Sequence, residues 1–261
     1  MPIGRAAVPH IHFETRADKP RVFRITPELI AAAKERNKIG ISTSLGEEWD
    51  DLSALRRAVG LVTAVDLLAD PKFPCRTLQQ AAPQLRWIHV TGAGIEPLLP
   101  LDWLPSQVTL SNNSGVHIEK VRESAMLLLL MLNARIPAIA TNQSKSKWQQ
   151  IFSPKVRGRT VLIIGVGHMG GAVAQSARQL GLYVLGVRRS GAPHFAVDEM
   201  FQPDELDVVL PRADFVVLAA PLTSETTMLL NGERITRMKR GAGFINICLL
   251  YTSPSPRDRQ K

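Results

Sequence analysis

TVLIIGVGHMGGAVAQSARQLG, residues 160–181, decides the fold. After Thr160 its next four residues are continuously apolar, as expected of a strand when helices cover both of its faces. Gly165-Val166-Gly167-His168-Met169-Gly170 follows, and then an alanine-rich run with helical composition. Between strand and helix each glycine has a separate role. Gly165 permits the tight turn, Gly167 lets the backbone approach a ligand, and Gly170 lets the helix pack close to the strand. The free amides and positive end of such a helix attract phosphate. In this context the GxGxxG spacing reads as a dinucleotide fingerprint. The plainer alternative is a glycine turn with no ligand. His168 and Met169 belong to the same loop, His168 flanking phosphate.

The residues on either side extend an α/β pattern. Strands are expected at 182–187 (LYVLGV), near 195–201, at 214–219 (DFVVLA) and at 243–247 (GFINI), with helices at 170–180 and 203–210. Upstream lies a helix at 117–135 whose centre, AMLLLLML, is apolar all round and is therefore expected to be buried. Pro137 is expected to end it. The amino-terminal third alternates too: strands at 8–13, 38–43, 60–66, 86–91 and 107–111, and a helix at 26–37 capped by Thr26 with Pro27 at its first position.

The end of the second strand of a dinucleotide unit selects the nucleotide. An acid there holds a ribose hydroxyl, and an arginine accommodates a 2′-phosphate. This chain reads Gly186-Val187-Arg188-Arg189-Ser190, with no acid until Asp198. Two guanidiniums and a hydroxyl suit a phosphate, so NADP(H) is expected ahead of NAD(H).

Composition narrows the class. The 261 residues are 45% hydrophobic and 21% charged, which is globular. The net charge of +9 raises a nucleic-acid reading, but the 32 basic residues are scattered among 23 acids with no run beyond two, and nucleic acid is not expected. The longest apolar run, 125–132, is too short to span a bilayer, and no membrane partner is expected. Two cysteines, without a CxxC or Cys/His cluster, argue against a disulfide scaffold and a metal site. The first residues lack the apolar core of a secretion signal, so a cytoplasmic protein is expected.

The residues resemble the D-isomer-specific 2-hydroxyacid dehydrogenase family. The resemblance rests on 156–170 with Trp148 before it, on ADFVVLAAPLT (213–223) with Glu225 and Thr226, and on RMKRGAGFIN (237–246). In the amino-terminal part it rests on VTGAGI (90–95), with Gly115 and Glu123 at the entry to an interdomain helix. The arginines at 188–189 are similar to the glyoxylate and hydroxypyruvate reductase branch. The resemblance implies two doubly wound parallel-sheet α/β domains. These are a flavodoxin-like substrate domain over 1–116 and an incomplete Rossmann NAD(P)-binding domain over 117–247 with its leading helix. It implies reversible hydride transfer between a nicotinamide and a small 2-keto or 2-hydroxy acid. Amides of Ala93 and Gly94 would hold the substrate carboxylate; Ala220, Pro221 and Thr226 would lie along the cofactor groove. It also implies a homodimer.

The resemblance breaks after Ile247. The family pattern Phe-Ile-Asn-x-x-Arg-Gly meets Leu249 and Leu250 here, and leucine cannot bind a carboxylate. The family's glutamate and histidine would lie beyond the chain, and none of the six histidines stands in their place. No catalytic residue is therefore assigned. The stretch 248–261, CLLYTSPSPRDRQK, is expected to be a read-through tail, and the 261 residues alone an inactive fragment with a poorly covered apolar edge at 243–251. A non-catalytic NAD(P)-binding sensor on the same fold is the alternative reading.

Overall fold

The computed structural model describes residues 8–21, 24–221, 223 and 225–248. The chain forms two compact units, Met1–Ser114 and Gly115–Lys261.

In the first unit the elements are β1 (His10–Thr15), α1 (Pro27–Asn37), β2 (Ser42–Glu47), β3 (Gly60–Thr63), α2 (Val65–Leu68), α3 (Leu78–Ala81), β4 (Trp87–Val90) and β5 (Thr109–Asn112). All strands are parallel, in the order β2-β1-β3-β4-β5, which is flavodoxin-like. Thr26 caps α1, its Oγ1 accepting from the Leu29 amide at 3.4 Å, with Pro27 in the first turn. Leu55, Leu61, Leu67, Leu85 and Ile88 are fully buried and form the core.

β2 begins four residues later than the sequence pattern predicts, and the reason is polar. The strand pairs His10 with Ser42 and His12 with Ser44. His10 Nδ1 and Nε2 lie 2.9 Å from Ser42 Oγ and Ser44 Oγ, and His12 Nδ1 is 2.8 Å from Ser44 Oγ. His12 Nε2 meets Glu14 Oε2 at 2.8 Å, and Glu14 Oε1 accepts from the Trp49 amide at 2.7 Å. His10, His12 and Glu14 are buried. Buried polar groups demand partners, so this network fixes the register that an apolar face would otherwise fix.

The second unit contains α4 (Ile118–Asn133), α5 (Ile136–Ser144), β6 (Thr160–Ile164), α6 (His168–Gln179), β7 (Tyr183–Val187), β8 (Glu199–Phe201), α7 (Leu206–Val209), β9 (Phe215–Leu218), α8 (Gly232–Arg237) and β10 (Gly243–Asn246). The order β10-β9-β6-β7-β8, all parallel, is that of a Rossmann sheet. Side chains alternate between two cores. Val161, Ile163, Val217 and Ile245 face α4 and α6, whereas Leu162, Ile164, Leu185 and Val216 face α7. Each fully buried aliphatic side chain contributes about 1.5–3 kcal/mol.

The expectation of an all-round buried helix is corrected. Only Val121, Ala125, Leu129 and Asn133 of α4 are buried, a single line at four-residue spacing, while Leu127 and Leu130 are 60% and 40% exposed. The helix packs against α6 and β10 along one side only, so a single stripe is covered. Pro137 does not end this helix. It starts α5, in whose first turn a proline has no amide bond to lose. Among the described residues no single helix is long and apolar enough to cross a membrane.

Candidate functional site

In the second unit the chain runs outward from β6 to β7 and β8, then returns to β9 on the other side of β6. Strand order reverses between β6 and β9, and crevices outside the carboxyl ends of such strands take ligands. Gly165 follows β6 and Ala219-Ala220 follow β9, so the glycine loop lies at this reversal.

The three glycines meet three environments. Gly165 has φ +98, and a Cβ on it would stand 2.5 Å from the Ala220 nitrogen. Only glycine fits both the angle and the approaching backbone. A Cβ on Gly170 would stand 2.2 Å from the Gly165 carbonyl oxygen, so the start of α6 sits directly against the turn. Beside Gly167, which precedes α6 in extended geometry, nothing lies within 4 Å of a Cβ position. The space required of a phosphate cradle is open there. The first helical bond runs from the Gly171 amide to the Gly167 carbonyl at 2.8 Å, leaving the amides of His168, Met169 and Gly170 ahead of the ladder. The His168 side chain is exposed; Met169 is half-buried and packs into the core. His168 thus stands at the cleft, and Met169 offers its amide alone.

A cleft of about 510 Å³ opens beside the loop, lined by Gly167, His168, Gly171, Arg188, His194 and Phe195 among others. Sequence reasoning did not find His194, which stacks on Phe195. Its Nδ1 accepts from the Ala196 amide at 3.2 Å, which leaves a neutral ring its proton on Nε2. Burial, and secondarily Arg188, hold this histidine below its ordinary pKa. A Cβ on Gly171 would stand 2.8 Å from His194 Nε2, so a second glycine after the loop was the available signal.

The groups at the end of β7 do not form one clamp. Arg188 donates from Nη2 to the Pro193 carbonyl at 3.0 Å, while its Nε is buried without a partner among the described residues. An unpaired buried donor costs about 1–3 kcal/mol, which favours turning the side chain toward an acceptor in the cleft. Arg189 is exposed and paired with Glu225. Ser190 Oγ accepts from the Ala192 amide at 3.3 Å. After β9, Ala220 is half-buried against Gly165, Pro221 is exposed, and Thr226 Oγ1 donates to the Pro221 carbonyl and accepts from the Thr223 amide at 2.7 Å. Thr226 therefore shapes the loop. The nucleotide fits this donor set: an open cradle, helix-start amides and an under-satisfied arginine.

In the first unit Ala93 and Gly94 lie exposed beyond the end of β4. Asn112 Nδ2 donates to the Ala93 carbonyl at 2.6 Å and Asn113 Nδ2 to the Thr91 carbonyl at 2.8 Å, bracing the loop. A Cβ on Gly94 would stand 2.6 Å from Glu96 Oε2, so an anion at this loop requires that carboxylate to turn away. His89 faces β5, between Ser111 Oγ and Asn113 Oδ1 at 3.0 Å each. No cluster of three or more His, Cys, Asp or Glu able to hold a metal occurs among the described residues. Positions 249–261, including Leu249, Leu250 and most of the expected tail, lie outside the described residues.

The family profile described as "D-isomer specific 2-hydroxyacid dehydrogenase, NAD binding domain" matches residues 126–248, a span that includes the glycine loop, the end of β7 and the loop after β9. The second unit is thus similar to the NAD-binding domain of the D-isomer-specific 2-hydroxyacid dehydrogenase family. Among curated relatives, it is 29% identical over 240 residues to the glyoxylate reductase of Korarchaeum cryptofilum, covering 87% of this chain and 70% of that one. It is 28% identical over 198 residues to glyoxylate/hydroxypyruvate reductase B of Salmonella typhi, covering 73% of this chain but only 61% of the relative. The dehydrogenase fold is also seen in a D-isomer-specific 2-hydroxyacid dehydrogenase from Xanthobacter autotrophicus Py2 solved with NADPH and MES. That comparison gives a TM-score of 0.72 at 23% identity and covers 92% of this chain and 72% of the other.

Proposed function

We propose that this chain is part of an oxidoreductase that transfers hydride between NADP(H) and a small 2-keto or 2-hydroxy acid of the glyoxylate or hydroxypyruvate type. The observation that carries the reading is the glycine loop: two glycines closed by backbone and one facing open space, at the reversal of a Rossmann sheet. Amides at the start of α6 would hold the diphosphate. Arg189, with Arg188 turned outward and Ser190 beside it, would take the 2′-phosphate. Ala220 and Pro221 would wall the groove, with Thr226 holding its shape. The Ala93 and Gly94 amides would orient the acid's carboxylate, an arrangement that suits an anion without bringing a charge. The bound nicotinamide would supply the hydride chemistry.

The partner in this reading is a second copy of the chain. Leu127, Leu130, Ile136 and Ile139 stay exposed on α4 and α5, as do Trp148 and Phe152 beyond them in the chain, at 87% and 80% exposure. Apolar patches of this kind mark association surfaces.

A second reading, a nucleotide-binding module without turnover, is favoured by Leu249 standing where the family pattern has arginine. Two measurements separate the outcomes. Calorimetric titration is expected to show NADPH binding more tightly than NADH; preference for NADH would overturn the cofactor assignment. Sequencing past codon 247 from independently prepared template is expected to read Arg-Gly, then a glutamate and a histidine further on. A reproducible Leu249-Leu250 would overturn hydride transfer in favour of the binding module.

A further inference from the structure

We propose that Glu225 governs how strongly the nucleotide site prefers a 2′-phosphate, by holding Arg189 as an internal competitor for that phosphate. This rests on the NADP(H) reading above. Of the groups at the end of β7, Arg188 and Ser190 are turned into their own loop, onto Pro193 and Ala192. Arg189 reaches out of it, from Nη2 to Glu225 Oε2, 36 positions along the chain. Its partner sits in the loop after β9, and β7 and β9 flank β6 on opposite sides. The ion pair therefore bridges the two loops that border the crevice.

Both side chains are largely exposed, 79% for Arg189 and 65% for Glu225. Such a pair is weak and exchanges its partner readily. A 2′-phosphate is a stronger partner for a guanidinium, carrying more charge and accepting two parallel bonds. The N–H directed at Glu225 cannot serve the phosphate at the same time, so a two-bond grip that uses this edge of the guanidinium requires the carboxylate to be displaced. A nucleotide with a plain 2′-hydroxyl calls on neither residue. Glu225 thus lowers affinity for 2′-phosphorylated nucleotides selectively and narrows the discrimination that Arg189 provides.

The test uses 2′,5′-ADP and 5′-AMP, which differ by that phosphate, titrated into the 261-residue chain and its variants. Glu225→Gln is expected to bind 2′,5′-ADP about two- to fivefold more tightly, the range of an exposed ion pair, with 5′-AMP unchanged. The gain should shrink as salt is raised. Arg189→Met is expected to weaken 2′,5′-ADP toward the affinity of 5′-AMP, with Arg188 and Ser190 keeping part of the difference, and Glu225→Gln should add no gain in that background. Unchanged or weaker 2′,5′-ADP binding by Glu225→Gln overturns the proposal while leaving the NADP(H) reading intact. So does a gain that persists without Arg189. If the unaltered chain fails to distinguish the two ligands, the NADP(H) reading falls, and the role of Glu225 with it.

Discussion

Gly165, Gly167 and Gly170 show how one short motif divides its work among its residues. Gly165→Ala places a side chain at φ +98 and within 2.5 Å of the Ala220 nitrogen. The backbone strain alone is worth about 1–3 kcal/mol, so urea unfolding should show at least that loss; an unchanged midpoint would contradict the geometry. Gly170→Ala should behave alike, because its obstacle is the Gly165 carbonyl. The tight turn at Gly165 and the close packing at Gly170 were legible in the sequence, since glycine between an apolar strand and an alanine-rich helix has few other uses. The partners of individual polar residues were not. Arg189 and Glu225 stand 36 positions apart, and only the return of the chain to β9 brings them together.

At the scale of elements, β6, β9 and β10 are tied at their amino ends by one carboxylate. Asp214 Oδ2 accepts from the Thr160 amide at 2.8 Å, and Oδ1 from Lys239 Nζ at 3.1 Å, with Arg159 Nη2 3.5 Å away. Burial would by itself raise this carboxyl, but the Thr160 amide and Lys239, with Arg159 beside them, hold it below the usual carboxylate range. Asp214→Ala leaves the Thr160 amide unpaired and should cost about 1–3 kcal/mol in chemical denaturation. An effect within error would show that water replaces the carboxylate freely. Strand positions in this sheet followed from apolar runs, because strands covered on both faces advertise themselves. The first sheet was harder to read. Polar SerThrSer at the start of β2 carries no strand signal, and the partnership of His10 and His12 with Ser42 and Ser44 supplies the register instead.

At the scale of the whole molecule, stability should fall as the solution is acidified. Burial, then Arg57 and His12, hold His10 below its ordinary pKa in the folded chain. The unfolded chain therefore binds the proton first. The stabilising contribution is present above the unfolded value of about 6.5 and is lost as pH falls through the lower folded one. Asp214 acts with the same sign at more acid pH, since its folded value is also depressed. Thermal melts are expected to shift downward below pH 6.5 in the unaltered chain and less so in His10→Gln; equal shifts would remove His10 from the account. The second copy proposed above gives the other prediction at this scale. Leu130→Glu with Leu127→Glu should lower the mass seen in sedimentation without lowering the melting temperature of a folded monomer. A mass unchanged by both substitutions would place the interface elsewhere. The helix that carries these leucines reads as fully buried in sequence because an exposed apolar face and an apolar core have the same composition.

In the function proposed above, the space beside Gly167 takes the diphosphate of a dinucleotide. Gly167 lies in extended geometry with nothing within 4 Å of its Cβ position, so valine fits the fold but fills the cradle. The deciding measurement is calorimetric titration of NADPH into the unaltered chain and into Gly167→Val, with melting temperatures recorded for both. One NADPH is expected to bind per chain, saturably, and at least about tenfold more weakly in the variant, a loss of about 1.4 kcal/mol, at an unchanged melting temperature. NADPH binding that is absent from the unaltered chain, or equal in the two proteins, would contradict it.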